Sequence, residues 1–471
     1  MDSKRDRLLA GLGAAVLSGL LSFFGTGYSP VSVLTWLAPL PVLLLAPRAS
    51  ARLAGAAAFV AGVLGSSNNW SHSLNSIDVP LPMALGISVG MASVLTLVVL
   101  LFRALVVRGL PLLASVAAPA VWTGLLYLVS LANPTGVMGT PANSMGDVPA
   151  VLQIASITGF WGIEFLLLFV PAAIATGRLR TGVTAGLVLV AVLGFGFIRL
   201  ASEDGPSQRV ALVVTNQRHW AVDVTTPEGK QLVQAYTDSI AALPADVRTV
   251  VLPEAEFGVD DASLPSLIAP FAQVARERGT DVVVGYLRLA DGAKFNSAVV
   301  VPADGGEPGA YLKHHDMVSR LGDDLVLTGR SGVQICMDVN HADPSRAYAA
   351  AGARFMAIPA ADEIVNGWQH ARIGLLRGVE NGFSVAWAGR TGALMVSDGY
   401  GRVVGEANTG GTGPFTTVVA DVPAGPGATL YTRFGDWFAW LCLAITVAAV
   451  IVAVRRRREW KILPTRRVTG P

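Results

Sequence analysis

Seven apolar stretches fill the first 200 residues, near 8–24, 31–46, 53–69, 83–102, 111–132, 157–176 and 182–199. An eighth lies near 434–454. A bilayer-spanning helix needs about 20 apolar residues, because each residue rises about 1.5 Å through about 30 Å of hydrocarbon. Lys4, Arg5 and Arg7 precede the first stretch. Arg48 and Arg52, Arg103 and Arg108, and Arg178 and Arg180 then fall in alternate loops. The loops at 25–30, 70–82 and 133–156 hold no Lys or Arg. Cytoplasmic loops collect basic residues, so eight spans place both termini in the cytoplasm. The tail Arg455–Arg458 is then also inside, and residues 200–432 are outside. Further apolar spans follow the first, so a cleaved leader is not expected there.

The composition agrees. Hydrophobic residues make up 52% and charged residues 14%, against about 25% charged in soluble domains. A net charge of +2 excludes an electrostatic nucleic-acid binder. The two cysteines, Cys336 and Cys442, exclude a disulfide framework; Cys442 falls in the eighth span. Glu164 lies within the sixth span and is expected to be a hydrogen-bonded structural acid, although intramembrane acids are functional candidates by default. The expected division is residues 1–200 for spans one to seven, 201–432 for an extracytoplasmic domain, and 433–471 for span eight and a basic cytoplasmic tail.

Residues 208–425 have a different texture. Short β-branched runs at 209–214, 248–253, 281–287, 296–301, 332–337, 354–359, 383–388, 393–397 and 415–422 read as strands. Amphipathic stretches near 227–242, 264–278, 343–352 and 368–381 read as helices. Thr226-Pro227-Glu228 is a helix start: a capping hydroxyl, proline in the first turn, then an acid near the helix dipole. Buried strands interspersed with helices predict a layered α/β domain.

Phosphate-loop, Cys-x-x-Cys and His-Glu-x-x-His patterns are missing from the chain, and the Gly-x-Ser-x-Gly match at 86–90 lies inside the apolar stretch 83–102, not at a strand-to-helix elbow. The histidines are His72, His219, His314, His315, His341 and His370. His314 and His315 are adjacent, so on a strand they face opposite ways. No metal and no cofactor is expected. A single cysteine is usually a small buried hydrophobe, but Cys336 ends an apolar run, where a nucleophile can be presented in a cleft. Glu254 follows one strand and Lys313 another. A carboxylate can take a thiol proton, and an ammonium can favour thiolate or oxyanion.

These strand-end residues resemble the nitrilase (carbon–nitrogen hydrolase) superfamily. Glu254 sits in VVLPE (250–254), Lys313 in YLKHH (311–315) and Cys336 in GVQICMD (332–338). FNS (295–297), WQHARIGLLRGVENG (368–382) and SDGYGRV (397–403) fit the same pattern. With eight spans, VLQIASITGFWGIEFL (151–166) and LYTRFGDWFAW (430–440), nearly the whole chain resembles the apolipoprotein N-acyltransferase family. The resemblance implies an α-β-β-α sandwich joined to a helical membrane bundle.

It also implies roles. Cys336 would carry the acyl chain, Glu254 would be base and then acid, and Lys313 with the Met337 amide would hold the oxyanion; Asp338 is a secondary site residue. The implied donor is a membrane phospholipid and the implied acceptor a diacylglyceryl-cysteine lipoprotein. No nucleic-acid partner is implied. The chain also departs from the family. Leu252 stands where Trp is usual, and Leu321 where a glutamate follows the lysine motif. Asp323 and Asp324 are the nearby acids considered in its place, the Lys313–Cys336 interval is short, and Asp338 replaces Glu. A membrane-anchored amidase, an acyltransferase with another amine acceptor, a nitrilase-like binding or scaffold protein, and a transporter remain open readings.

Overall fold

A computed structural model describes residues 4–75, 79–202, 205–217 and 220–462. His219 and the side chains of His72, Arg457 and Arg458 lie outside the described residues. The chain divides into two compact units: residues 1–129, 161–191 and 436–471, and residues 130–160 and 192–435.

The first unit is helical. Among the described residues, five helices are long and apolar enough to cross a membrane: Lys4–Gly25, Leu81–Val106, Pro111–Ala132, Leu179–Leu200 and Trp437–Arg456. A sixth candidate is the pair Pro149–Thr158 and Phe160–Ala175, interrupted at Gly159. Two further expected spans are shorter. Residues 31–46 form the pieces Ser32–Leu37 and Leu40–Leu45, then the 3-10 turn Ala46–Arg48. Pro39, Pro41 and Pro47 explain the breaks, since each removes an N–H and clashes with the preceding turn. The third is the 16-residue helix Ala51–Ser66. Ala54, Ala57, Ala58 and Ala61 on that helix are buried, and small residues let helix backbones approach closely in lipid. Leu8, Leu9, Leu12, Leu187 and Val190 stay exposed, as a face turned to hydrocarbon would. Glu164 is fully buried and accepts a hydrogen bond from Trp122 Nε1 at 2.9 Å, the pairing a structural acid needs.

The second unit is the α/β domain. Its strands are β1 (Ser207–Thr215), β2 (Val222–Asp223), β3 (Val247–Val251), β4 (Phe257–Val259), β5 (Asp281–Ala290), β6 (Ala293–Val301) and β7 (Gly309–Leu312). There follow β8 (Leu327–Thr328), β9 (Ser331–Val333), β10 (Phe355–Ala360), β11 (Ser384–Gly389), β12 (Ala393–Ser397), β13 (Val403–Asn408) and β14 (Phe415–Pro423). One sheet runs β14-β1-β3-β5-β4-β2, with β6 beside β5 and β7 beside β6. The other runs β13-β12-β11-β10-β9-β8. Strands β1, β3 and β5 are parallel, as are β9, β10 and β11.

Helices Pro227–Ala241 and Leu264–Arg278 cover the first sheet, burying Leu232, Tyr236 and Phe271 against Ala211, Val250 and Val282. Its other face meets the second sheet, since β1 and β3 pack on β11 and β5 packs on β10. Helix Gly367–Asn381 covers the second sheet along β11 and β12. The order is therefore helix, sheet, sheet, helix. Strands covered on both faces need apolar residues at every position, which is why residues 210–214 are all buried. Thr226 caps the first of these helices, its hydroxyl accepting from Gly229 N at 3.0 Å.

Candidate active site

The site lies at the carboxyl ends of the parallel strands, where loops leave both sheets. Pro253 and Glu254 follow β3, and Glu254 N donates to Ala360 O at the end of β10, at 3.3 Å. Gly285 lets this turn sit flat on β5, because a Cβ there would stand 2.1 Å from Pro253 O. Ala255 turns the chain away with φ +48. Lys313 follows β7 and Asn296 lies in β6; pairing of these strands puts Lys313 N on Asn296 O at 3.0 Å.

The side chains meet in a buried network. Lys313 Nζ lies 2.6 Å from Glu254 Oε1, and its side chain is 5% exposed. Asn296 Nδ2 donates to the same Oε1 at 2.6 Å and to Asp316 Oδ2 at 3.1 Å. Asp316 also stands 3.6 Å from Lys313 Nζ. Glu254 Oε1 is thus held twice, while Oε2 is buried without a hydrogen bond among the described residues. Burial opposes the Lys313 charge, but Glu254, Cys336, Asp316 and Asp338 outweigh it and raise its pKa. The ammonium therefore persists throughout the neutral range.

The strand leading to Cys336 is shorter than its sequence predicts. The run 332–337 leaves the sheet at Val333, and residues 336–340 form a 3-10 turn. Cys336 itself has φ +43, a left-handed conformation that costs a non-glycine residue about 1–3 kcal/mol. Asp338 holds that turn. Its Oδ2 accepts from Tyr311 Oη at 2.7 Å and Ile335 N at 2.9 Å. Its Oδ1 accepts from His314 N at 3.1 Å and His315 N at 2.8 Å. Asp338 therefore binds the cysteine turn to the lysine segment. Met337 is the second residue of the turn, ahead of its first bond from Asp338 N to Ile335 O. Arg377 supports the turn from below, donating from Nε to Val339 O at 2.7 Å.

Desolvation raises the Cys336 thiol pKa well above its ordinary value, and Glu254 and Asp362 push the same way. Lys313 and the Ala361 N–H oppose the rise. The thiol is consequently protonated at rest and needs a base. Glu256, two residues beyond Glu254, is pushed up to about 7 by burial, against the pull of Arg390 and Tyr236.

Glu254, Lys313 and Cys336 thus come together, and Asp338 lies behind them. Asp323 and Asp324 do not reach the lysine. Asp323 lines a cavity with His314, His315 and Asp343, and the Asp324 carbonyl contacts His314 Nε2 at 3.0 Å. Asp316 occupies the place beside the ammonium. Sequence reasoning also missed Asp362 and His370. His370 Nδ1 lies 3.9 Å from Cys336 Sγ and 2.7 Å from Asp362 Oδ1. Trp387 Nε1 donates to Asp362 Oδ2 at 2.9 Å. The Cys336, Asp362 and His370 ligand atoms fall within 4.8 Å of one another, a set of donors with the chemistry to hold a divalent cation. The available sequence signal was faint: a histidine on a helix and an acid just past a strand.

Known proteins place this arrangement. Residues 18–173 match the model of the apolipoprotein N-acyltransferase N-terminal domain, and residues 209–428 match that of carbon–nitrogen hydrolases. An apolipoprotein N-acyltransferase of Geobacter metallireducens is 28% identical, covering 97% of this chain and 96% of its own. One of Gloeobacter violaceus is 26% identical, covering 96% and 95%. The crystal structure of an amidase from Nesterenkonia sp. is 21% identical, covering 47% of this chain and 93% of its own, with a TM-score of 0.40. With both matched regions in order along the chain, and relatives aligned from end to end, this protein belongs to the apolipoprotein N-acyltransferase family, the membrane-bound branch of the carbon–nitrogen hydrolases.

Proposed function

We propose that this protein moves an acyl chain from a membrane phospholipid, through a thioester on Cys336, to the α-amine of a diacylglyceryl-cysteine lipoprotein. The observation that carries the chemistry is the state of Glu254. Lys313 and Asn296 hold its Oε1, and its Oε2 has no hydrogen bond among the described residues. A carboxylate so oriented is ready to take a proton from the buried thiol.

In the first half-reaction Cys336 gives its proton to Glu254 Oε2, and the sulfur attacks the ester carbonyl. The oxyanion is met by the Lys313 ammonium and the Met337 N–H. Such a donor is worth about 10²–10³ in rate. The C–O bond then breaks, and Glu254 returns the proton to the departing lysophospholipid alkoxide. In the second half-reaction the acceptor nitrogen attacks the thioester, the C–S bond breaks, and Glu254 carries a proton from nitrogen to sulfur. The buried setting of Cys336, 7% exposed, protects the thioester from water.

The same reading assigns eight spans, both termini in the cytoplasm of the cell (inner) membrane, and residues 201–432 outside. The alternating basic loops support it. So does the helix order, in which the shorter elements 32–48 and 51–66 supply the second and third spans. Both substrates are lipid-anchored, which accounts for joining a soluble-type sandwich to a membrane bundle.

Purified full-length protein incubated with phospholipid should acquire one acyl group that hydroxylamine releases. A diacylglyceryl-cysteine peptide should discharge it as an amide. Cys336→Ala should form neither product. A thioester that passes to other amines but not to this peptide would replace the lipoprotein acceptor with another.

A further inference from the structure

Three donors of different chemistry converge beside the nucleophile, each from its own element. Cys336 comes from the 3-10 turn, Asp362 from the loop after β10, and His370 from the helix Gly367–Asn381. Their ligand atoms lie within 4.8 Å of one another, and all three residues are buried. His370 Nδ1 stands 3.9 Å from Cys336 Sγ and 2.7 Å from Asp362 Oδ1. The acyl-transfer steps set out above use the sulfur and neither of the other two groups.

We propose that Cys336, Asp362 and His370 form a binding site for a thiophilic divalent cation, Zn²⁺ above all, and that its occupancy holds acyl transfer off. A tetrahedral zinc keeps sulfur at about 2.3 Å and nitrogen or oxygen at about 2.0–2.2 Å, which sets the ligand atoms about 3.3–3.6 Å apart. To reach that geometry the Sγ–Nδ1 separation closes, and the Nδ1–Oδ1 separation opens, by less than about 1 Å each. A thiolate beside an imidazole selects zinc over magnesium or calcium. The thiolate and the carboxylate together balance the charge of a dication, as a buried charge requires. On binding, an S–Zn bond replaces the S–H bond, and the thiol proton leaves to solvent. The imidazole keeps its single proton on Nε2, where no hydrogen bond is displaced among the described residues.

Outer contacts hold two of the three ligands in place. Trp387 Nε1 donates to Asp362 Oδ2 at 2.9 Å, which leaves Oδ1 toward His370. The same indole stands edge-on to the His370 ring at 4.8 Å between centroids. Partners of this kind orient metal ligands and change affinity by about 10–100-fold. The fourth position can be filled by water or by Glu254 Oε2, which is buried without a hydrogen bond among the described residues. The metal site stands on this geometry alone. Its inhibitory effect rests on the acyl-transfer reading, because the sulfur lone pair that attacks the ester is the one that binds the ion.

The test uses full-length protein stripped with EDTA and desalted. Co²⁺, the spectroscopic probe, should give a thiolate-to-cobalt charge-transfer band that Zn²⁺ displaces. Cys336→Ser should abolish the band although Cys442 remains. His370→Ala should weaken binding by about 10²-fold or more, beyond the loss of an outer contact. Asp362→Asn keeps the shape and the Trp387 contact; it should weaken binding likewise, and it decides the matter if His370→Ala does not fold. Zn²⁺ should block thioester formation from phospholipid, Mg²⁺ should not, and EDTA should restore it. No band in folded wild type, or an affinity unchanged in Asp362→Asn and in folded His370→Ala, would overturn the site. Zinc held there without loss of thioester formation would overturn its role as a brake. A metal-free wild type that forms no thioester would overturn the acyl-transfer reading and leave the cobalt result standing.

Discussion

Replacing Lys313 by methionine keeps the apolar stem and deletes the ammonium. That ammonium stands 2.6 Å from Glu254 and 3.6 Å from Asp316, inside a site where its own side chain is 5% exposed. Without it two carboxylates share a buried space, linked through Asn296 Nδ2. Removing one partner of a buried pair costs about 3–5 kcal/mol, because the other charge is stranded. At about 2–4 °C per kcal/mol, the melting temperature should fall by roughly 10 °C. The deficit should depend on pH. In the wild type the raised Lys313 pKa makes its stabilising contribution complete below the unfolded lysine value of about 10.4, and it is lost only at higher pH. The wild type therefore has no lysine-linked change between pH 5 and 8. The variant gains stability as pH falls, because folding then favours uptake of a proton by the stranded pair. Combining Lys313→Met with Glu254→Gln should recover most of the stability and none of the thioester formation. The assays are thermal unfolding of detergent-solubilised protein at pH 5 and 8, and hydroxylamine-labile acylation. A Lys313→Met protein as stable as wild type at pH 8, or one that Glu254→Gln does not relieve, would refute the charge balance inferred for this site.

Glu256→Gln should stabilise the protein above pH 7. Its folded pKa of about 7 exceeds the ordinary 4.5, so the wild type loses stability as pH rises through that window, by up to about 3 kcal/mol. The gain over wild type should vanish near pH 4.5, and a gain independent of pH would contradict the assignment. Asp338→Asn presents an amide to two of four donors, each worth about 1.5–3 kcal/mol to a charged acceptor. Thermal stability and thioester formation should fall together; a normal thioester with impaired transfer to peptide would instead put Asp338 against the acceptor. Reporters fused after Arg180 and near Ala290 should report opposite sides of the membrane, and the same side for both would remove the eight-span topology.

Most of the α/β framework was legible in residue order. Runs such as 209–214 and 281–287 are apolar at nearly every position because sheets and helices bury both their faces, and burial is what a hydropathy pattern records. The cap at Thr226 was equally local: one hydroxyl, one proline, one acid. The division of the second apolar stretch was also written in the chain, as Pro39, Pro41 and Pro47, but hydropathy averaged over them. Where the strand holding Cys336 ends was not legible. Local preference extends it to residue 337, whereas Asp338 gathers donors from β7, the lysine segment and Ile335, and that network offsets the left-handed turn at Cys336. Asp316, Asp362 and His370 were hidden for a related reason. None of them belongs to a motif in its own segment, and each gains meaning only when two sheets bring their strand ends together. Periodicity reports which face of an element is buried. Which charge meets which depends on contacts between residues tens of positions apart, and sequence spacing does not encode them.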